Sequence, residues 1–178
     1  MMLIFIWLWL LIILALAVFL LVTAFYNIFL GAPFLSSNRE TLDTLLNKID
    51  LSGKKKLYEL GSGNGKVISR IAQKYPQLEC VGVEFNWAVY FLALGRNLFS
   101  KRKVKYLCQN MFKVDLRDAD VVFTYLFPKP MERLEPKFAA ELKPGAMVIS
   151  STFPLKNKQP AQVYRNKSCL ATIYVYQY

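Results

Sequence analysis

The sequence contains no histidine, and its three cysteines stand far apart at positions 80, 108 and 169. Zinc sites combine cysteine and histidine at short, regular spacings, and disulfide frameworks in small domains need an even set of cysteines. Neither arrangement is present, so we expect no metal centre and no disulfide framework. The cysteines are predicted to be buried, reduced thiols.

Charge is missing from the first 38 residues, whereas 23 Lys and Arg and 12 Asp and Glu are spread over the rest of the chain. Residues 3–22 consist of Leu, Ile, Val, Phe, Ala and Trp alone. A bilayer core about 30 Å thick requires about 20 apolar residues at the helical rise. We therefore predict a transmembrane anchor over residues 1–30 and a separate domain over residues 31–178.

The main alternative for this segment is a cleaved signal peptide. Such peptides carry a basic region before a shorter apolar core, and here only the α-amine supplies positive charge before the apolar run. All Lys and Arg follow the run, which favours a single-pass protein with its domain on the cytoplasmic or matrix-equivalent side. The net charge of +11 indicates an acidic neighbour, either an anionic lipid surface, the simplest candidate, or nucleic acid.

Beyond the apolar run, short apolar stretches alternate with helical patterns. This alternation is typical of an α/β domain with a largely parallel sheet covered on both faces. Strands are predicted at 57–60, 80–83, 104–108, 121–127 and 146–150, helices at 38–51, 67–75, 87–99 and 131–142, and a closing antiparallel pair at 162–165 and 172–176.

A glycine-rich turn, Gly61-Ser62-Gly63-Asn64-Gly65, joins the first predicted strand to a helix. Glycines let the backbone approach a ligand closely, and the helix N-terminus offers free N–H groups, although a turn without any ligand remains open. A P-loop requires glycine where Leu60 stands, and the dinucleotide fingerprint requires glycine or alanine where Lys66 stands. The turn therefore indicates a nucleotide-type site of another kind.

Glu84 ends the second predicted strand, 19 residues after Gly65. A carboxylate at this place can accept hydrogen bonds from both hydroxyls of a ribose, and ligands of open α/β sheets bind at the carboxyl ends of the strands. A plain surface carboxylate is the alternative, but the position favours a ribose-binding role.

These residues resemble the class I S-adenosylmethionine-dependent methyltransferases, which have a Rossmann-like seven-strand sheet. The resemblance covers roughly residues 38–178 and rests on the glycine turn preceded by Glu59, on Glu84, and on Asn110-Met111-Phe112 after the third strand. It implies S-adenosylmethionine as cofactor, with Glu84 holding the ribose and with Asn110, where many relatives have Asp, and Met111 holding the adenine. The methionine part would be held by the first acidic residue and the turn: Glu59, Gly61, Ser62, Gly63 and Gly65.

A closer resemblance is to the small membrane-anchored protein lysine N-methyltransferases of mitochondria and their prokaryotic relatives. It rests on the anchor, on the Gly31–Phe34 segment, on Tyr125-Leu126-Phe127-Pro128 and on Phe153-Pro154. The resemblance implies that the substrate is a lysine in a membrane or membrane-associated protein. Departures at Ser36, Ser37 and Lys158 leave the identity of that protein open.

The segment after the fourth strand is the predicted catalytic part. In a doubly wound sheet this strand lies beside the first, so Tyr125, Phe127 and Pro128 should border the transferred methyl group, unless they form an ordinary buried strand end. Because the chain lacks histidine, an amine acceptor fits better than an alcohol. The segment also lacks the polar, proline-rich pattern of nucleic-acid amine methyltransferases, which disfavours nucleic acid. A small amine, a lipid headgroup or a non-catalytic scaffold remain the alternatives.

Overall fold

The computed structural model describes residues 2–29, 39–165 and 172–178. The chain divides into two compact units, Met1–Phe34 and Leu35–Tyr178. The predicted boundary at residue 30, the Gly31–Phe34 motif and Cys169 lie outside the described residues.

Within the first unit the structure describes one α-helix, α1 (Met2–Phe29). Its stretch Ile4–Val22 has a mean hydropathy of 3.1 and is long and apolar enough to cross a membrane. The apolar side chains described along this stretch are exposed, as Leu11 illustrates at 60%. By length and composition, this helix matches the predicted anchor.

The second unit is a seven-stranded sheet with helices on both faces. Five strands, β1 to β5, are parallel, whereas β7 is antiparallel to both β5 and β6, in the order β3-β2-β1-β4-β5-β7-β6. This arrangement confirms the predicted seven-strand fold, including its antiparallel end. The elements are α2 (Arg39–Lys48), β1 (Lys56–Leu60), α3 (Lys66–Lys74), β2 (Glu79–Glu84), α4 (Trp87–Leu98), β3 (Lys105–Cys108), a short 3-10 helix (Met111–Lys113), β4 (Val121–Thr124), α5 (Pro128–Glu141), β5 (Met147–Ser151), β6 (Gln162–Tyr164) and β7 (Ile173–Gln177).

Two apolar layers hold the sheet between its helices. On one face Leu45 of α2 and Ile68 of α3 are fully buried in the same cluster as Ala93 of α4. On the other face Leu134 and Phe138 of α5 are fully buried against the sheet. The parallel strands therefore lie covered on both sides, which leaves their carboxyl ends as the edge where a ligand can reach them.

The structure corrects three sequence-based predictions. β4 ends at Thr124 rather than at residue 127, and α5 begins at Pro128 rather than at residue 131. A proline is favoured in the first helical turn because it has no N–H to satisfy there.

Cys108 is exposed rather than buried, because it ends β3, an edge strand with a neighbour on one side alone, whereas Cys80 is buried as predicted.

Candidate active site

The glycine turn is fixed to the end of the neighbouring strand. Gly61, Gly63 and Gly65 all have positive φ angles, of 73°, 55° and 73°, which explains why glycine occupies each position. The backbone N–H groups of Gly61 and Ser62 both donate to the carbonyl oxygen of Val83, at 2.9 Å. The turn therefore lies directly against the carboxyl end of β2.

Glu84 lies at that end of β2 and contacts the turn. Its Oε2 accepts a hydrogen bond from the Gly63 N–H at 2.9 Å, and its Oε1 accepts one from the Asn86 N–H at 2.8 Å. A carboxylate has about four lone-pair positions, so each oxygen retains the capacity for a further donor. The half-buried, pre-oriented carboxylate therefore fits two hydroxyls of a ribose.

Glu59 is buried beneath the same turn, with 4% of its surface exposed. Its Oε2 accepts a hydrogen bond from the Ile68 N–H in the first turn of α3, at 3.0 Å. Burial raises the pKa of the Glu59 carboxyl to about 8, the Ile68 N–H opposes this shift, and the charge of Glu84 adds to it. Glu59 therefore holds a proton near neutral pH unless a cation lies close by.

This buried carboxyl predicts an unusual pH dependence of stability. Because the folded pKa lies above the ordinary value of 4.5, the folded state binds more protons, and the free energy of unfolding falls as the pH rises toward 8. Between about pH 5 and 8 we expect the free energy of unfolding to fall by about 3 to 4 kcal/mol in the wild type, and this pH dependence to be absent in Glu59→Gln. Thermal unfolding of the full chain in a non-ionic detergent, at several pH values, would measure the pH dependence of both proteins.

Few other groups titrate in the range of pH over which Glu59 is expected to lose its proton, because the chain has no histidine. The pKa of Asp118 is held below its ordinary value by Lys56, and burial raises the pKa of the Cys80 thiol to about 12. Equal slopes for the wild type and the glutamine variant would show that Glu59 does not hold this proton.

Ser62 is the second residue of the turn, and its side chain faces the sheet. Its hydroxyl oxygen lies 3.0 Å from the position that a Cβ on Gly82 would take, and it has no hydrogen-bond partner among the described residues. The Ser62 N–H is already bound to Val83. Ser62 therefore contributes to the geometry of the turn, whereas its hydroxyl points to β2.

Tyr106 on β3 supports the glycine turn. This role of Tyr106 was not predicted from the sequence. Its Oη would lie 2.0 Å from a Cβ on Gly65, and its ring would lie 2.7 Å from a Cβ on Gly82. The same hydroxyl lies 3.5 Å from Ser69 Oγ in α3. A glycine inside a strand often marks a close approach, so Gly82 was the available signal.

Asn110 and Met111 follow β3 at the same edge as Glu84. The register pairs Glu84 with Cys108, and the Gln109 N–H donates to the Glu84 carbonyl oxygen. Asn110 Oδ1 accepts a hydrogen bond from the Phe112 N–H at 3.0 Å and begins the short 3-10 helix. Met111 is half-buried against the second apolar layer. Both predicted adenine residues thus adjoin the predicted ribose residue.

The segment after β4 lies on the other side of the turn. β4 pairs with β1 in parallel, and the side chain of Leu126 would lie 2.8 Å from a Cβ on Gly61. Phe127 precedes α5, and its ring centroid lies 5.5 Å from that of Phe153, which follows β5. Tyr125 is half-buried, whereas Pro128 is exposed at the start of α5. The fold thus brings this segment and the glycine turn into direct contact.

The turn that places Phe153 is strained. Thr152 has a φ of 71°, which is rare for a β-branched residue, and its N–H donates to the Thr172 carbonyl oxygen at 2.7 Å. Ser150 Oγ donates to the Phe153 carbonyl oxygen at 2.6 Å. Strain of this kind persists where surrounding contacts impose it and concentrates at functional sites. It therefore supports a specific role for the aromatic pair.

The fold and these residues define an S-adenosylmethionine-dependent methyltransferase. A solved structure described as an RNA methyltransferase from Salinibacter ruber in complex with S-adenosyl-L-homocysteine superposes with a TM-score of 0.74 and 25% identity, over 80% of this chain and 93% of that one. The ANTKMT methyltransferase domain model matches residues 59–162, and the chain belongs to this family.

Two curated relatives carry the family resemblance in sequence. A protein-lysine N-methyltransferase of Saccharolobus islandicus is 30% identical over 81% of this chain and 92% of its own length. The mouse adenine nucleotide translocase lysine N-methyltransferase is 32% identical over 75% of this chain. The aligned part of this chain spans 58% of the mouse protein.

Proposed function

We propose that this protein transfers methyl groups to lysine side chains of a protein in or at a membrane. The observation that carries the proposal is the aromatic pair of Phe127 and Phe153, in the segment whose Leu126 lies against the glycine turn. Relatives named for lysine methylation in an archaeon and in mouse support the choice of acceptor. One structural relative is described as an RNA methyltransferase, so RNA is the alternative substrate that the experiment must test.

The cofactor fits the residues at the carboxyl edge of the sheet. When bound, S-adenosylmethionine supplies an electrophilic methyl group. Glu84 would accept the ribose hydroxyls, and Asn110 Oδ1 has a lone pair left for the adenine amino group, next to Met111. The methionine part would lie on the turn and over Glu59, whose proton would be released beside a cationic ligand. The residues assigned to this part are Glu59, Gly61, Ser62, Gly63 and Gly65.

The acceptor side would be formed by Tyr125, Phe127 and Pro128. A lysine ammonium has an ordinary pKa of about 10.4 and must lose a proton before it can act as a nucleophile. Aromatic side chains exclude water from the ammonium and thereby favour the neutral amine. These residues would then orient the amine nitrogen, which is the main requirement of an in-line displacement.

The membrane part of the proposal rests on α1 and on the charge of the chain. α1 contains one stretch that could span a bilayer, and the net charge is +11. A single-pass anchor with the domain on the cytoplasmic or matrix-equivalent side would raise the effective concentration of a substrate in the same membrane. Anionic lipids beside the anchor would attract the basic domain.

The full chain in nanodiscs should be incubated with methyl-labelled S-adenosylmethionine and membranes of its source that lack the protein. We expect label on a discrete protein, mapped to lysine by mass spectrometry and absent with Glu84→Ala. Label in lipid, small amines or RNA would overturn the proposal that the substrate is a protein. Failure to bind the cofactor would indicate a non-catalytic scaffold.

The aromatic pair of Phe127 and Phe153 gives a specific prediction. We expect Phe127→Ala to lower kcat by about 10- to 100-fold, because a misplaced, more hydrated amine is a poorer nucleophile. Tyr125→Phe should retain most activity, since the ring and not the hydroxyl excludes water. Initial rates with the labelled cofactor measure both, with affinity for S-adenosylhomocysteine as the control. A parallel loss of cofactor affinity would place Phe127 in the cofactor site instead.

A further inference from the structure

α4 is apolar on its outer face as well as on its inner face. Ala93 is fully buried, and Tyr90 and Leu94 pack on the same core cluster. A helix on the surface of a soluble domain normally turns a polar face outward. The large apolar side chains on the outer face here are Phe91, Leu92 and Leu98, 60% to 74% exposed, followed by Phe99 at 92%.

These side chains form one continuous surface. At 100° per residue, the positions of Phe91, Leu92 and Leu98 fall within one side of α4, and Phe99 follows directly at the end of the helix. Between Trp87 and Phe99 the sequence contains a single charged residue, Arg96. Its Nε donates to the Asn64 carbonyl oxygen at 3.1 Å, so Arg96 is directed to the glycine turn. The apolar surface is therefore not interrupted by charge.

A basic cluster follows this surface. Lys101, Arg102, Lys103 and Lys105 occur within five positions, and all four are exposed. Lys103 Nζ donates to two carbonyl oxygens at the end of α4, whereas the other three form no ion pair within the described ranges. Their charge thus remains available to an anionic partner.

We propose that the outer face of α4 and the basic residues after it, together the α4 surface, lie on an anionic bilayer. A helix that combines exposed aromatic and aliphatic residues with a basic cluster has the composition of an interfacial membrane contact. Exposed apolar patches of this kind mark interaction sites, and the positive charge selects lipid phosphate as the partner. The inference builds on the proposed membrane location of the chain.

This contact has a consequence for the site. α4 begins three residues after Glu84, so a bilayer against its outer face lies beside the cofactor edge of the sheet. A lysine close to the headgroups would then reach the aromatic segment without leaving the interface. The α4 surface thus restricts substrates to those at the membrane surface.

The test uses the full chain with Cys108→Ser and Cys169→Ser, reconstituted at one copy per nanodisc, with an environment-sensitive fluorophore on Phe99→Cys. Ala140→Cys, on the exposed side of α5 and on the opposite face of the sheet, is the matched control. In discs with anionic phosphatidylglycerol we expect a blue-shifted emission, quenched by spin-labelled lipid, at position 99 alone. In discs of phosphatidylcholine the shift should be much smaller.

Replacing Lys101, Arg102 and Lys105 by glutamine should weaken the contact by about fivefold per residue. Binding of S-adenosylhomocysteine in this variant reports that the domain is folded, and flotation reports insertion of the anchor independently of α4. The proposal is overturned if position 99 behaves like position 140, or if the shift occurs only when two copies share a disc. Methyl transfer is measured in a separate experiment, so a failure of the proposed function can be distinguished from a failure of the proposed bilayer contact.

Discussion

Glu84→Gln is expected to reduce the affinity for S-adenosylhomocysteine by at least about 100-fold. The carboxylate is held by the N–H groups of Gly63 and Asn86 and would accept two ribose hydroxyls. Hydrogen bonds to a charged acceptor contribute about 1.5 to 3 kcal/mol each. The amide nitrogen of glutamine accepts no hydrogen bond and its oxygen carries no charge, so one bond is lost and the other is weakened, which together with the mismatch at a backbone donor corresponds to this change. An amide would also turn an NH₂ group toward one of the two backbone donors. Isothermal titration calorimetry of the full chain in detergent would measure the affinity.

Glu79→Gln provides the matched control, because Glu79 begins the same strand that Glu84 ends. Its carboxylate is about half exposed and pairs with Lys56 at 3.2 Å. An ion pair with a half-exposed carboxylate contributes little to stability. Because Glu79 lies at the opposite end of β2 from Glu84, cofactor affinity should stay unchanged. Similar affinities for the Glu84 variant and the wild type would remove Glu84 from the cofactor site.

Gly65→Ala is expected to destabilise the domain by about 2 to 5 kcal/mol, because two penalties add. The residue has a φ of 73°, and a Cβ there would lie 2.0 Å from Tyr106 Oη and 2.8 Å from Cζ. Tyr106 is buried, with its ring against Gly65 of the turn and Gly82 of β2, so it has little room to move. Thermal or urea unfolding followed by circular dichroism would measure the change.

A second variant separates the two penalties. Tyr106→Phe removes the atom nearest to the new methyl group, so it should restore part of the stability lost in Gly65→Ala, while the backbone strain persists. Gly95→Ala in α4 is the control, since nothing lies within 4 Å of its Cβ position. That change should stabilise the helix by about 0.5 to 1 kcal/mol. Equal effects at Gly65 and Gly95 would contradict the close packing of Tyr106.

Local patterns predicted most of the domain. The alternation of apolar stretches and helical spacings predicted the order of strands and helices, and the glycine turn with Glu84 indicated the carboxyl edge of the sheet as the proposed cofactor site. The prediction failed at 121–127, where the apolar run continues past the strand that ends at Thr124. An apolar run does not reveal where hydrogen bonding to neighbouring strands ceases. The following helix was predicted from residue 131, although Pro128 is a typical residue of a first helical turn.

The contacts that shape the site were not visible in the sequence. Tyr106 lies 41 positions after Gly65 and reaches the turn only because β3 joins the sheet beside β2. Thr152, which has a positive φ, donates its N–H to the carbonyl oxygen of Thr172, 20 positions further along the chain. Neither contact follows from residue type or spacing, because each one is set by strand pairing between distant segments.

The sequence by itself determined the apolar segment that became α1, the class of fold and the family, because composition, periodicity and glycine spacing are local properties. The tertiary structure alone decided which side chains support the turn, where the aromatic pair meets and which face of α4 remains exposed. Those features depend on packing, since a side chain is buried only when another element covers it. The inner face of α4 is covered by the sheet, whereas the equally apolar outer face is exposed.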